Sequence, residues 1–422
     1  MVNEYFELIN YGGSYYYYVF ELANFLFLAV LAIFFYKLQL ININSLIVWV
    51  GLFSIPLFLN YFLFSPYLFP DQFQYTGELT SIKGKGVSIP IIEAQGLGVS
   101  SIYGSDDVEN INVFGVINPI TLTIKLLGLA PIPNYMTVTS MAFANKFFLF
   151  LTFIWLKRFF DNENILLLFF IVPSLVLYSS LSLRDNLIIM VSVIFLINFL
   201  RNKYIISIFF LLPLLILKVQ MFFFLFIYYI GKLIFRAHKS LSSLVLYSLV
   251  ILGIAFIYEA LILEIINSYR YGFAAEDLDM GDGMYGYAAW NLYGSQIMET
   301  ITLYSIPELI FEAFIGMPYL LLMPLPGSWE NIFYPIQFLE SIFLIALYSW
   351  ISIKYKLLRN QEFIFLTFTL LISLLIYSLL AFNEGTFVRY RFTLFFPFLI
   401  GIFYIANNHK PAILEDEEQS FK

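Results

Sequence analysis

Long apolar runs alternate with short charged turns along nearly the whole chain. Read as helices, the runs place spans at about 15–36, 45–66, 135–156, 165–182, 187–200, 204–217, 219–235, 241–263, 332–353, 362–382 and 392–406. Runs of this length and apolarity predict an all-α polytopic membrane protein with about 11 transmembrane helices (10–12), because only helices satisfy their backbone groups within lipid without a closed barrel. Two further stretches, "NPITLTIKLLGLAPIPNY" and "ITLYSIPELIFEAFIGMPYLLLMPLPGSW", are apolar but broken by proline. They are expected as interfacial helices on the outer face. The pattern has no internal repeat and no long flexible linker, so residues 1–422 are expected to form a single transmembrane domain.

Charge orients the spans. Lys37, then Lys157 and Arg158, Arg201 and Lys203, Lys232, Arg236 and Lys239, then Lys354, Lys356 and Arg359, and finally Lys410 fall at every second connection. The positive-inside rule puts these clusters in the cytoplasm, with the N-terminus outside and the C-terminus inside. Three long polar segments, Tyr67–Asn134, Glu264–Asn331 and Asn383–Arg391, then face outward. One face is elaborated and the other is trimmed to turns, as expected of a protein that works on something at its outer face. The start, "MVNEYFELINYGG", lacks a basic n-region, so the first span is expected to be retained.

Composition narrows the chemistry. The 422 residues are 61% hydrophobic and 12% charged, against about 25% charged in soluble domains, and the mean hydropathy is +0.84. There is no cysteine, which removes disulfides, thiolate nucleophiles and Cys-ligated metals. His238 and His409 both fall in basic segments assigned to the cytoplasm, so a histidine triad or metal site is not expected. The net charge of −7 is sorted by side of the membrane, and nucleic acid is not an expected partner.

The segment "SSLSLRDNLIIM" places Arg184 and Asp185 between two uncharged runs. The run 187–200 has 14 residues, roughly 21 Å of helix against a hydrocarbon core of roughly 30 Å. The pair 204–217 and 219–235 is also short and turns at Lys218 and Gln220. Arg184, Asp185, Lys218 and Gln220 are therefore expected below the outer headgroups, lining a cavity open to the outside. A plainer reading has Arg184 snorkelling and pairing with Asp185. Company favours the first: Arg389 and Arg391 in "NEGTFVRYRFTLFF" and Arg270 in "NSYRYGF" also lie outward, where cations are disfavoured. Such a set points to a bound anion, and arginine's planar fork of donors suits phosphate.

The first outer loop opens "SPYLFPDQFQYTGELTSIK". Asp71, between Phe69 and Phe73, is a candidate general base toward a sugar hydroxyl, or else a solvated loop acid or helix N-cap. Glu78 and Glu93 are weaker candidates for that role, and Tyr75 and Glu78 are candidates for sugar binding. Tyr103, Tyr285 and Tyr293 could also stack on sugar rings. The acidic run Ala274–Tyr287 misses the calcium-loop pattern and reads as a solvated loop. Glu308 and Glu312 read as one wet helix face. Lys146, in "FANKFFLF", falls near mid-span and is a functional suspect on that ground.

Four stretches, "PDQFQY", "PSLVLYSSLSLRDNL", "LLMPLPGSWENIFYPIQFLES" and "GTFVRYRFTLFFPFL", occur in an order that resembles the Wzy-type oligosaccharide repeat-unit polymerases of O-antigen and capsule synthesis. The resemblance covers roughly residues 15–406. It implies a GT-C-like membrane glycosyltransferase of the bacterial cytoplasmic membrane, acting on the periplasmic side. Its donor and acceptor would be undecaprenyl-pyrophosphate-linked oligosaccharides, with membrane lipid around it and a chain-length regulator protein as a possible partner. By that resemblance Arg184, Arg389 and Arg391 would hold the donor pyrophosphate, and Asp71 would match the acidic residue of the first outer loop. The acid-rich run at 276–282 departs from the family pattern.

Pyrophosphate leaving an anomeric carbon must have its charge neutralised, by Mg²⁺ or by arginines. The outward arginines, together with the lack of a clear metal cage in the sequence, make a metal-independent reaction the expectation, with no cofactor. Three rivals use similar chemistry. A lipid-linked oligosaccharide flippase would spread its cations along a central path between similar halves. An O-antigen ligase would use the same donor with a different acceptor. A GT-C transferase using a polyprenyl monophosphate sugar would depend more on a carboxylate base.

Overall fold

A computed structural model describes residues 15–59, 123, 126–127, 130, 140–181, 183–235, 253, 255–267, 270, 302–326, 333–379 and 384–420. All regular secondary structure among the described residues is helical. The chain forms two compact units, Met1–Phe223 and Phe224–Lys422.

The first unit contains α1 (Tyr15–Lys37), α2 (Ile43–Phe58), α3 (Ser140–Lys157), α4 (Glu163–Phe170), α5 (Pro173–Ser179), α6 (Asp185–Leu200) and α7 (Tyr204–Leu217), and it ends within α8 (Val219–Phe235). Its aromatic core centres on Trp49 of α2, which is fully buried. The Trp49 ring lies 5.1 Å from Phe150 and 5.5 Å from Phe153 of α3, and 5.7 Å from Phe170 of α4. Three helices are thus held by one side chain.

The run 165–182, expected as one span, is instead two short helices. Pro173 begins α5, and Val172 before it is extended, with φ −59° and ψ 127°. Proline lacks an N–H and crowds the preceding residue out of the helical region, so the helix stops and restarts. α6 is apolar nearly all round, and apart from Ile194 its side chains are buried, the pattern of a helix enclosed by others. α7 packs against it through a tight turn in which Asn202 takes the left-handed conformation, φ 60°. The outer face of α7 presents Ile205, Phe209 and Leu212, all exposed. A row like that suits lipid and not water.

The second unit holds most of α8, then α9 (Ile306–Leu322), α10 (Phe333–Lys354), a single 3₁₀ turn (Leu357–Arg359), α11 (Gln361–Ser378) and α12 (Glu384–Ser420). Within these helices, Tyr334–Lys354, Gln361–Ser378 and Val388–Asn408 are long and apolar enough to cross a membrane. They coincide with the expected last three spans, and exposed Leu339, Phe343 and Ile353 on α10 complete a surface for lipid. Four shorter apolar helices, Ile43–Phe58, Asp185–Leu200, Tyr204–Leu217 and Val219–Leu233, match other expected spans. Of the expected span at 241–263 only residue 253 and residues from 255 onward are described.

The proline-broken segment around Pro307 forms the uninterrupted helix α9. Ser305 caps it by accepting from the Glu308 N–H at 3.3 Å, and Glu308 reaches back to the Tyr304 N–H at 2.8 Å. This reciprocal pair resembles a capping box, with the carboxylate taking the amide one residue before the cap, and gives Glu308 a structural role. α9 and α11 approach closely at Gly316, where an added Cβ would lie 3.0 Å from the Ser378 carbonyl oxygen. The Ser378 hydroxyl donates to the Ala313 carbonyl at 2.9 Å. A small residue and a hydroxyl bridge are the usual means of close helix crossing in lipid.

Candidate functional site

The stretch that links α5 to α6 is clasped by two neighbouring residues of α3. Asn145 Nδ2 donates to the carbonyls of Leu181 at 3.0 Å and Leu183 at 2.9 Å. Lys146 Nζ donates to Ser179 Oγ at 2.7 Å and to the Val176 carbonyl at 3.2 Å. From the far side, Asn186 Nδ2 donates to the Asn145 carbonyl at 3.1 Å. Asn145, Lys146, Ser179 and Asn186 are fully buried. Lys146 has no carboxylate within ion-pair distance among the described residues, and its Nζ is held by the last turn of α5.

The clasp fixes the backbone on which Arg184 stands. Arg184 occupies the N-cap of α6, makes no side-chain capping bond, and is half-buried. Its guanidinium has no hydrogen-bond or ion-pair partner among the described residues. A cation beside the positive end of a helix is in an unfavourable field, and a bound anion would reverse the sign of that interaction. Asp185, buried in the first turn of α6, puts an acid where the free amides favour one. The side-chain oxygens Asn145 Oδ1 and Asn186 Oδ1 are buried, with no hydrogen-bond partner among the described residues. Lys218 is the C-cap of α7 and is buried. Since α6 and α7 form an antiparallel hairpin, Arg184 and Lys218 stand at the same end of it.

The other three candidate cations belong to the second unit. Arg391 is buried, and its Nη1 donates to the carbonyls of Met323 at 2.7 Å, Leu321 at 3.1 Å and Leu320 at 3.3 Å. It therefore caps the C-terminal end of α9, whose last carbonyls have no helical partner. Arg270, also buried, donates from Nη1 to the Leu379 carbonyl at 3.1 Å, just past the end of α11. Arg389 lies two residues before Arg391 near the start of α12 and is half-buried. Two of these three guanidiniums thus have at least one nitrogen engaged by a helix end.

Asp71, Tyr75 and Glu78 lie outside the described residues, as do Glu93, Tyr103, Tyr285 and Tyr293. Among the described residues no group of three His, Asp or Glu side chains is placed to hold a metal ion. Several buried polar residues escaped the sequence reading: Asn145 and Asn186, and also Glu21 and Asn24 in α1 and Glu340 in α10. For all but Asn186, which follows Arg184 and Asp185, the signal was present, since each interrupts an apolar run ("FELANFL", "FANKFF", "FLESIF") where a polar group is costly without a partner. No family model, no curated protein and no solved structure matches the chain.

Proposed function

We propose that this chain is a polymerase of undecaprenyl-pyrophosphate-linked oligosaccharide repeat units, built as a GT-C-like membrane domain and acting on the outer face of the bacterial cytoplasmic membrane. The reading is supported first by Arg184. It is a guanidinium without a partner among the described residues, set at a helix N-terminus on a backbone clasped by Asn145 and Lys146. Lys218 at the same hairpin end adds a second positive group.

In the proposed reaction a hydroxyl at the non-reducing end of one lipid-linked unit attacks the anomeric carbon of another. The bond from that carbon to the pyrophosphate oxygen breaks, and the electron pair leaves on the pyrophosphate. Arg184 and Lys218 stabilise the departing charge, and Asp71 receives the hydroxyl proton.

The test is to incubate purified protein with a single lipid-linked repeat unit and separate the products on a gel. A ladder of products is expected. Unchanged substrate that moves between leaflets of a vesicle would replace this reading with a flippase, and transfer only to a lipid A core would replace it with a ligase. Activity is expected to survive EDTA; its loss in chelator and restoration by Mg²⁺ would refute charge neutralisation by arginine and lysine alone.

A further inference from the structure

A cavity of about 350 Å³ opens at the other end of the first unit, where positive-inside charge places the cytoplasm. It is lined by Tyr36 and Lys37 at the end of α1, by Gln39 and Asn42 from the α1–α2 connection, by Lys157 at the end of α3 and by Glu163 at the start of α4. The two connections are tied together. Lys157 Nζ lies 2.7 Å from Glu163 Oε2 and donates to the Leu40 carbonyl at 2.8 Å. The Asn42 N–H donates to Glu163 Oε1 at 2.9 Å, and Asn42 Nδ2 donates to Asn164 Oδ1 at 3.1 Å. Both oxygens of the one carboxylate are engaged, and its charge is neutralised by Lys157. Lys37 is exposed and has no partner among the described residues, so the lining carries one net positive charge.

The approach to this cavity is apolar. Leu22, Leu26, Val30 and Ile33 are all exposed along α1. Their spacing of four, four and three residues forms a single stripe that continues to Lys37. About 17 Å of helix axis separates Leu26 from Lys37 at about 1.5 Å per residue, close to the roughly 15 Å depth of one hydrocarbon leaflet.

We infer that the cavity formed by Tyr36, Lys37, Gln39, Asn42, Lys157 and Glu163 binds the phosphate of an anionic phospholipid of the inner leaflet, with an acyl chain lying along the Leu26–Val30–Ile33 stripe. One net positive charge balances one phosphodiester. Lys37 and the remaining proton of Lys157 supply donors, with the Tyr36 hydroxyl beside them. A zwitterionic headgroup is disfavoured because its ammonium finds no open carboxylate in the lining: Glu163 is already held by Asn42 and Lys157. The site stands apart from the chemistry proposed at the outer face and does not depend on it.

Native mass spectrometry of the full chain in detergent, titrated with phosphatidylglycerol or phosphatidylcholine of matched acyl chains, tests this. Phosphatidylglycerol should be retained at lower concentration than phosphatidylcholine. Lys37→Gln should weaken its retention about fivefold, the effect of one lysine at an anionic lipid surface. Ile33→Gln, which wets the stripe, should weaken it as well, whereas Lys354→Gln, a basic residue that does not line the cavity, should leave it unchanged. Circular dichroism melts confirm that each variant compared is folded. Equal retention of the two lipids would overturn the inference, as would unaltered retention in folded Lys37→Gln. Displacement of the lipid by millimolar inorganic phosphate would assign the cavity to free phosphate and overturn the lipid assignment.

Discussion

Replacing Arg391 with methionine separates a helix-capping arginine from a substrate-gripping one. The side chain is 3% exposed, and its Nη1 faces three carbonyl oxygens at 2.7, 3.1 and 3.3 Å. One Nη1 carries two hydrogens, so these contacts amount to about two bonds shared among three acceptors. Hydrogen bonds to a charged group contribute about 1.5–3 kcal/mol each, which sets a gross loss of about 3–6 kcal/mol. Methionine recovers part of this, because it has similar length and removes the cost of burying a guanidinium. The expected net destabilisation is about 2–4 kcal/mol. The assay is SDS titration of the protein in mixed micelles, followed by far-ultraviolet circular dichroism. Arg391→Lys should fall between wild type and Arg391→Met, since an ammonium keeps the charge at the helix end but not the planar fork. If Arg391→Met unfolds within about 0.5 kcal/mol of wild type, the ordinary range for a substitution that breaks nothing, the capping role is wrong. Loss of activity at unchanged stability would then place Arg391 on the substrate.

Other substitutions probe the remaining contacts. Arg184→Ala should leave stability within about 0.5 kcal/mol, because no side-chain partner among the described residues is lost. Its kcat/KM on a lipid-linked repeat unit should fall about 10- to 100-fold, the worth of one charge-assisted contact to the substrate; full activity would remove Arg184 from the site. Asn145→Ala leaves the carbonyls of Leu181 and Leu183 unsatisfied in a buried setting, which should cost about 1–3 kcal/mol in the same SDS titration. A variant as stable as wild type would show that the clasp does not hold the segment. Gly316→Leu should destabilise by about 1–3 kcal/mol, since even a Cβ meets the Ser378 backbone at 3.0 Å. Gly51→Leu is the control, with nothing within 4 Å of its Cβ position. Equal effects at the two glycines would contradict the close crossing of α9 and α11.

Local signals made much of the helical framework legible. The runs 204–217 and 219–235 coincide with helices α7 and α8, because the turns between them are marked by charge and by a break in apolarity. The break between α4 and α5 was equally local: Pro173 announces it, and reading 165–182 as one span gave apolarity precedence over proline. Lys146 could be marked as a suspect from its position in an apolar run. The sequence also predicts Arg184 and Lys218 below the outer headgroups, because the runs 187–200 and 204–217 are too short to lift their turns clear of a hydrocarbon core.

By itself, then, the sequence determined where the chain is helical, which runs are apolar enough for lipid, and which few polar groups need an explanation there. These properties depend on neighbours along the chain and on the cost of exposing a backbone to lipid. Only the tertiary structure decided what each polar group does. Arg184 and Arg391 look alike in sequence, each a cation beside an apolar run. In three dimensions Arg391 meets the end of α9, about 70 residues away, while Arg184 stands at a helix start with no side-chain partner among the described residues. Asn145 and Lys146 are adjacent, yet one holds the segment at Leu181 and Leu183 and the other the end of α5. Hydrogen bonds of this kind are short-ranged in space and long-ranged in sequence, so their partners become fixed only when helices pack.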